Sequence, residues 1–263
     1  MPPLLVCWNG NEINTLPYLE SQISEFASQA EFYGQSLTLV MLKPLWQQAL
    51  NLMGKVPGDP KILQGKLIDE DVEKAKTGNN PHFMLWIRFA QMQLAYFFGD
   101  YDLAEKYLDA APEIYMNSSG AMDCAVTLVY ECLVLLELAR AGKRRLRRIL
   151  YVRRRLKRLR LWAMHSPLNF LGKQFLLEAE LASVRGDRQK ARSHFRSAIL
   201  HSREGGFWME EAVSNERLGR HYLESNEEKS AIPFLKAARD IYENWGALTL
   251  VNHMEEQFGE KLK

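Results

Sequence analysis

The sequence lacks paired cysteines, long apolar runs and a recognisable leader. Its three cysteines, Cys7, Cys124 and Cys132, show no paired spacing and form no Cys-x-x-Cys motif, which predicts reduced thiols rather than a disulfide framework. No stretch approaches the roughly 18–20 uninterrupted apolar residues that a membrane-spanning helix needs. The first residues contain no charged region of the kind that opens a secretory signal. We therefore expect a cytoplasmic protein without a transmembrane segment.

The sequence also lacks the short motifs that mark common catalytic centres. A phosphate-binding loop needs a lysine and a hydroxyl residue after closely spaced glycines, but Gly58 and Gly65 are too far apart and Leu67 replaces the hydroxyl. There is no kinase catalytic loop and no Asp-Phe-Gly triplet. His194 and His201 share a helix face but lie about 10 Å apart, too far for one metal ion. We predict a non-enzymatic protein with no catalytic residues, cofactor or metal.

The positions of several polar residues favour structural roles. Glu178 and Glu180 lie on different faces of one predicted helix, so they do not form an acid–base pair, and we expect them to be solvated or to cap helix ends. Asn169 follows the turn formed by Ser166 and Pro167. Its amide is expected to tie that turn to the next helix, with ligand binding as the alternative.

Helical periodicity dominates the chain, and the alternation typical of strands is scarce. Helices are predicted at 16–32, 35–53 and 69–76. Loops and breaks are predicted at 33–34, 54–61, 77–81, 98–102, 117–120, 185–188 and 223–228. Pro44 is predicted to kink or interrupt the second helix, because proline removes a backbone hydrogen bond.

Three segments repeat a pattern in which a bulky residue lies between two alanines seven positions apart. The sets are Ala104, Leu108 and Ala111; Ala191, Phe195 and Ala198; and Ala231, Leu235 and Ala238. Gly219 and Tyr222 mark the inner face of the helix before the last set. Small residues let helices approach closely, and the bulky residue fills the space between them. The pattern predicts an all-α fold of stacked antiparallel helical hairpins, a degenerate tetratricopeptide-like repeat forming a right-handed superhelix, with an irregular helical bundle as the alternative.

We expect residues 1–263 to form a single helical-repeat domain. Its predicted parts are a divergent N-terminal hairpin at 1–60, middle hairpins at 61–141, the best-preserved repeats at 142–255 with a basic helix at 143–160, and a tail at 256–263.

The segment 161–247 resembles the tetratricopeptide-like helical region of large multidomain signalling ATPases, which also carry serine/threonine-kinase-like, ATPase, GAF and histidine-kinase domains. The matching residues include Trp162, Ala163, Pro167, Asn169, Phe170, Leu171, Lys173, Glu178, Glu180, Gly186, Glu204, Phe207, Asn215, Glu216 and Trp245. With weaker matches upstream, the resemblance covers roughly residues 30–255. It implies a non-catalytic scaffold in signal transduction. The sequence contains neither a kinase nor an ATPase domain, so it is either a free-standing homologue of that helical region or a piece of a longer gene product. It also departs from the family in its strongly basic segment, where the family has a mixed-charge helix.

Charge is concentrated in one segment. The formal net charge is +2, but residues 143–160 contain eleven Lys or Arg and no acid, so the remainder carries −9. A stripe of apolar residues runs through and just beyond the segment at steps of three and four: Leu146, Ile149, Val152, Leu156, Leu159 and Ala163. This spacing predicts a helix that docks on its neighbours through one face and exposes a basic face.

The residues predicted to form a polyanion or partner surface on this helix are Arg153, Arg154, Arg155, Lys157, Arg158 and Arg160. Three interpretations stay open. The face is solvated and complements the acidic remainder, or it binds acidic proteins or anionic lipid, or it binds nucleic acid, for which no further motif is present. The leading functional prediction is a scaffold that binds a peptide or a regulatory domain of a signalling kinase or ATPase system. The alternative is an electrostatic adaptor for an acidic protein, an anionic membrane surface or nucleic acid.

Overall fold

The computed structural model describes residues 15–68, 81–110 and 122–262. Over these ranges the chain forms eleven helices and no β-strand, which confirms the predicted all-α class. The predicted helix at 69–76 and the predicted break at 117–120 lie outside the described residues. The chain divides into two compact units. The described part of the first comprises residues 15–127, with the gaps given above, and 246–250; that of the second comprises 128–245 and 251–262.

The helices of the first unit are α1 (Leu16–Phe32), α2 (Ser36–Met53), α3 (Pro81–Phe97), α4 (Tyr101–Asp109) and the start of α5 (Met122–Arg140). Helix α2 packs against α1 and α3, and α3 packs against α4. Helix α2 continues through Pro44, so this proline does not end it. The buried amide of Asn51 donates hydrogen bonds of 2.9 and 2.7 Å to the carbonyls of Pro60 and Ile62. These bonds hold the following loop against α2.

The second unit contains the rest of α5 and six further helices: α6 (Arg145–His165), α7 (Pro167–Val184), α8 (Arg188–Glu204), α9 (Trp208–Glu224), α10 (Glu228–Trp245) and most of α11 (Leu248–Leu262). From α6 to α10 each helix packs against the next, and α7 also contacts α9. The connections among these five helices are one or three residues long. Such short connections make packed neighbours antiparallel.

Two of the turns use the same sequence pair, Gly-Asp. Gly99 and Gly186 have φ angles of +74° and +85°, a left-handed conformation that glycine adopts without Cβ strain. The following residues, Asp100 and Asp187, cap the next helices; Asp187, for example, accepts a 3.1 Å hydrogen bond from the backbone N–H of Lys190. A cap of this kind contributes about 1 kcal/mol of helix stability. Each Gly-Asp pair thus ends one helix and starts another.

The repeated small and bulky residues lie mostly inside the protein. The buried members are Ala104, Ala191, Phe195, Ala198, Gly219, Tyr222, Ala231, Leu235 and Ala238, whereas Leu108 is half-buried and Ala111 lies outside the described residues. Gly219 on α9 faces α10 so closely that a Cβ there would lie 2.7 Å from Cδ2 of Leu235. Gly172 on α7 faces α8 in the same way, since its Cβ would lie 3.0 Å from the backbone nitrogen of Ser202. Close approach of paired helices at small residues therefore occurs in both hairpins.

In the described ranges, no helix combines the length and the apolar character that crossing a membrane requires. Cys124 and Cys132 are buried free thiols, and Cys7 lies outside those ranges. Burial raises the pKa of the Cys132 thiol well above its usual value, so this group stays protonated at neutral pH.

Candidate anion-binding cleft

The basic helix α6 docks through a narrower stripe than its sequence predicts. Val152, Leu156, Leu159 and Ala163 are buried, as expected. The prediction was wrong for Leu146, which is 78% exposed, and Ile149 is only half-buried. Leu146 precedes Val152 by two steps of three residues. Each step falls about 60° short of a full helical turn, so Leu146 lies about 120° around the helix from Val152.

The six predicted surface residues of α6 fall into two groups. Arg153, Arg154 and Lys157 are exposed, and none of them forms an ion pair with any part of the chain that the structure describes. Their charges are therefore available to a partner. Arg160 is also exposed, but its Nε donates a 2.8 Å hydrogen bond to Glu178 on α7.

The other two predicted residues are engaged within the protein. Arg155 donates to the hydroxyl of Tyr151, which in turn donates to the carboxylate of Glu131 on α5. Burial and the Glu131 carboxylate raise the pKa of Tyr151 to about 12. The guanidinium of Arg158 stacks 4.9 Å from the ring centre of Trp162. The structure therefore corrects the predicted surface: Arg155 and Arg158 are half-buried and help to hold α6 and its aromatic residues in place.

A cleft of about 480 Å³ lies beside the exposed cations, between α6, α7 and the start of α8. The cationic side chains that line it are Arg153, Lys157, Arg160, Arg185 and Lys190. The apolar side chains that line it are Leu156, Leu181 and Ala182. It therefore brings positive charge from three elements to one cleft above buried apolar side chains, an arrangement that suits a peptide carrying acidic groups.

The two acidic residues of the cleft do not cancel this charge. Glu178 accepts hydrogen bonds from Arg160 and from Gln174, at 2.8 and 3.1 Å. Asp187 caps α8 by accepting from the backbone N–H of Lys190. Five cations against two acids leave a surplus of positive charge.

Sequence reasoning missed the contribution of α8 and the turn before it. Arg185 and Lys190 line the cleft but were not predicted to belong to a site. A signal was present, because residues 185–203 contain six arginines or lysines and one acid. This signal is weaker than that of the run at 143–160, which contains eleven basic residues and no acid.

The two histidines of α8 lie against an aromatic ring. His194 and His201 stack on Phe175, with ring centres 5.7 and 5.4 Å apart. Burial lowers the pKa of His194, which also lies 3.7 Å from a Glu178 oxygen, so this imidazole at the cleft is neutral at pH 7. Throughout the described ranges no group of three or more histidine, cysteine or acidic residues could hold a metal ion.

The expectation that Glu180 is solvated or caps a helix was wrong. Its carboxylate is buried and accepts hydrogen bonds from Arg217 on α9 and, at 2.7 Å, from Arg140 on α5. Arg217 also donates to Glu137. Burial by itself opposes ionisation of Glu180, but the two guanidinium groups outweigh it and lower its pKa, whereas burial dominates at Glu137 and raises its pKa. The network joins α5, α7 and α9 and leaves Glu180 charged.

Two polar groups near the start of α7 also have partners within the protein. The amide of Asn169 donates a 2.8 Å hydrogen bond to the hydroxyl of Ser166, which confirms its predicted role in the turn. The ammonium of Lys173 lies 2.8 Å from Glu210 on α9 and 3.7 Å from the ring centre of Phe207. Both charged groups are buried, so they form an internal ion pair rather than a surface site.

Comparisons of the chain with protein-family models, with curated proteins and with solved structures found no match.

Proposed function

We propose that this protein is a non-catalytic interaction scaffold acting in cytoplasmic signal transduction, and that it binds an acidic segment of a protein partner in the cleft between α6, α7 and α8. The observation that carries the proposal is the lining of the cleft. Arg153 and Lys157 from α6, Arg185 from the turn and Lys190 from α8 face a space whose two acids are already engaged.

The side chains around the cleft favour a peptide over nucleic acid. Single-stranded nucleic acid is bound mainly by aromatic stacking and phosphate contacts, and the apolar residues that line the cleft, Leu156, Leu181 and Ala182, are buried and offer no ring on which a base could stack. The aromatic rings nearest the basic segment do not offer such stacking, because Arg155 and Arg158 already lie over Tyr151 and Trp162.

The proposal includes an arrangement of tetratricopeptide-like hairpins in a right-handed superhelix, and the packing of the second unit supports it. Helix α7 pairs with α8 and α9 with α10, while α9 also contacts α8 and α7. A stacked hairpin repeat has contacts of this kind, in which each hairpin touches the next one through both of its helices. The link to signalling kinases and ATPases rests on the resemblance of residues 161–247 alone.

Binding of a fluorescein-labelled acidic peptide, measured by anisotropy on the whole chain, tests the proposal. We expect affinity to fall steeply between about 50 mM and about 200 mM salt, because each ionic contact releases counterions. The double variant Arg153→Glu/Lys157→Glu should bind at least about tenfold more weakly, a loss of about 1.4 kcal/mol. Lys66→Glu/Lys229→Glu changes the net charge equally at two exposed positions that do not line the cleft and should bind normally.

Three results would contradict the proposal. The first is no binding at low salt, and the second is equal weakening in both double variants. The third is ATP hydrolysis or self-phosphorylation by the purified chain at rates typical of kinases. If single-stranded RNA of matched charge competed for the same cleft and bound more tightly than the peptide, the protein would instead be an adaptor for nucleic acid.

A further inference from the structure

Helix α6 exposes a second apolar stripe on the side away from its buried one. Leu146 and Leu150 lie at its start, Leu161 and Met164 near its end, and they are 78%, 56%, 52% and 78% exposed. Single exposed leucines are common on protein surfaces, but four large apolar residues on one helix face form an amphipathic pattern that marks an interaction surface.

Three exposed cations lie between these two apolar pairs. At 100° per residue, Arg153, Arg154 and Lys157 fall within the same arc of about 100° as the four apolar residues. The rise from Leu150 to Leu161 is about 17 Å, and the cations occupy this interval. We call these seven residues the outer stripe of α6: apolar at both ends and positive in the middle.

The outer stripe adjoins the cleft, because Arg153 and Lys157 belong to both. A partner that lies along the stripe can therefore place acidic side chains towards Arg185 and Lys190 as well. The charge and the apolar contacts together define what fits: apolar groups about 17 Å apart with several carboxylates between them.

We propose that the partner segment is an acidic amphipathic α-helix that lies along α6, with apolar residues near both ends of the contact and aspartates or glutamates between them. This inference rests on the proposed function and names the partner's chemistry. A helix repeats its contacts every three or four residues and so matches the spacing of Leu146 with Leu150 and of Leu161 with Met164.

A lipid bilayer fits the same surface less well. In a membrane-bound helix the apolar residues form one continuous face that enters the acyl region, with cations along its borders. Here the cations Arg153, Arg154 and Lys157 interrupt the apolar stripe at its centre. A flat bilayer also cannot fill the adjoining cleft, whereas the side chains of a helix can.

Three synthetic peptides of equal net charge test the inference. The first has acidic residues between two leucine pairs on one helix face, the second has the same residues in scrambled order, and in the third the leucines are replaced by glutamine. We expect the first to bind at least about tenfold more tightly than the other two and to gain helical circular dichroism on binding.

The matched protein variants separate the apolar contribution from the charge. Changing Leu146, Leu150, Leu161 and Met164 to glutamine should reduce binding of the first peptide to the level of the third and leave the third unchanged. Leu200→Gln/Leu248→Gln alters exposed leucines elsewhere and should change nothing. Far-UV circular dichroism of each variant verifies that it is folded.

The outcomes distinguish this inference from the function on which it rests. Equal binding of all three peptides overturns the helix inference and leaves the acidic-segment proposal standing. Failure of all three at low salt overturns both. If phosphatidylserine vesicles bound at lower concentrations than the first peptide, and the glutamine variant lost this binding, the partner of the outer stripe would be a lipid surface rather than a helix.

Discussion

Arg217 donates two hydrogen bonds to the carboxylate of Glu180 in the interior of the second unit, one from Nε and one of 3.2 Å from Nη2. Both side chains are almost fully buried. Arg140 completes the charge balance around Glu180, and Glu137 accepts a further bond from Arg217. Since the partners come from α5, α7 and α9, this network connects three helices that lie far apart in sequence.

Removing the central cation should destabilise the protein strongly. We expect Arg217→Ala to lower the free energy of unfolding by about 3–5 kcal/mol, because it leaves the Glu180 and Glu137 carboxylates buried with less compensation. Urea denaturation followed by circular dichroism measures this. Arg239→Ala, which removes a cation from an exposed ion-pair cluster, should cost less than about 1 kcal/mol. Similar losses in the two variants would contradict the importance of the buried network.

The internal ion pair of Lys173 and Glu210 offers a test by double substitution. Lys173→Met should cost about 3–5 kcal/mol, because it leaves the Glu210 carboxylate buried without its partner. Lys173→Met/Glu210→Met removes both charges, and we expect stability close to that of the parent protein. Denaturation midpoints of Lys173→Met, Glu210→Met and the double variant measure this coupling. If the double variant lost as much stability as the two single variants together, the residues would act independently.

Replacing a glycine inside a helix by alanine usually stabilises a protein, but at the contact between α9 and α10 we expect the opposite. Gly219→Ala places its new methyl group 2.7 Å from Leu235, and we expect a loss of about 1–3 kcal/mol. Gly259 in α11 has open space around it, so Gly259→Ala should instead stabilise the protein by about 0.5–1 kcal/mol. Thermal unfolding of both variants gives the sign of each change in stability. Stabilisation by Gly219→Ala would show that α9 and α10 are not in close contact.

Stability should fall as the pH falls below 6.5. Burial lowers the pKa of His221, whose surroundings include Ser183, Glu180, Glu224, Arg192 and Arg140, and it also lowers the pKa values of His194 and His253. Well above pH 6.5 these histidines are almost entirely unprotonated in both the folded and the unfolded state. Below it the unfolded chain binds protons that the folded protein does not, so the free energy of unfolding decreases until the folded pKa values are passed.

Urea denaturation at about pH 7.5 and about pH 5.5 measures this loss. His221→Asn removes one of the three groups, so the variant should show a smaller difference between the two pH values. The raised pKa of Glu137 makes the folded protein bind a proton more readily than the unfolded chain, which opposes the loss of stability near pH 5.5. Glu137 is present in both proteins, so its effect cancels in the comparison. An unchanged pH dependence in His221→Asn would show that this histidine is protonated equally in both states.

Local sequence signals predicted the helices well. The predicted first helix at 16–32 has the observed bounds, and the predicted breaks at 98–102, 185–188 and 223–228 coincide with observed turns. These features depend on neighbours within one or two helical turns: the apolar period, the left-handed glycine and the aspartate cap. The candidate site was predicted in part. Of the six predicted surface residues, Arg153, Lys157 and Arg160 line the cleft and Arg154 is exposed beside it, whereas the internal partners of Arg155 and Arg158 could not be seen in the sequence.

The sequence by itself determined that this chain forms amphipathic helices separated by short turns, and that one of them is strongly basic, because those properties follow from residues close together along the chain. Only the tertiary structure decided which charges stay available. Glu180 and Arg217 are 37 residues apart, and Arg217 and Glu137 are 80 apart, so no local pattern reveals that they neutralise one another. The cleft arises in the same way, since helix packing brings Arg185 and Lys190 beside Arg153 and Lys157.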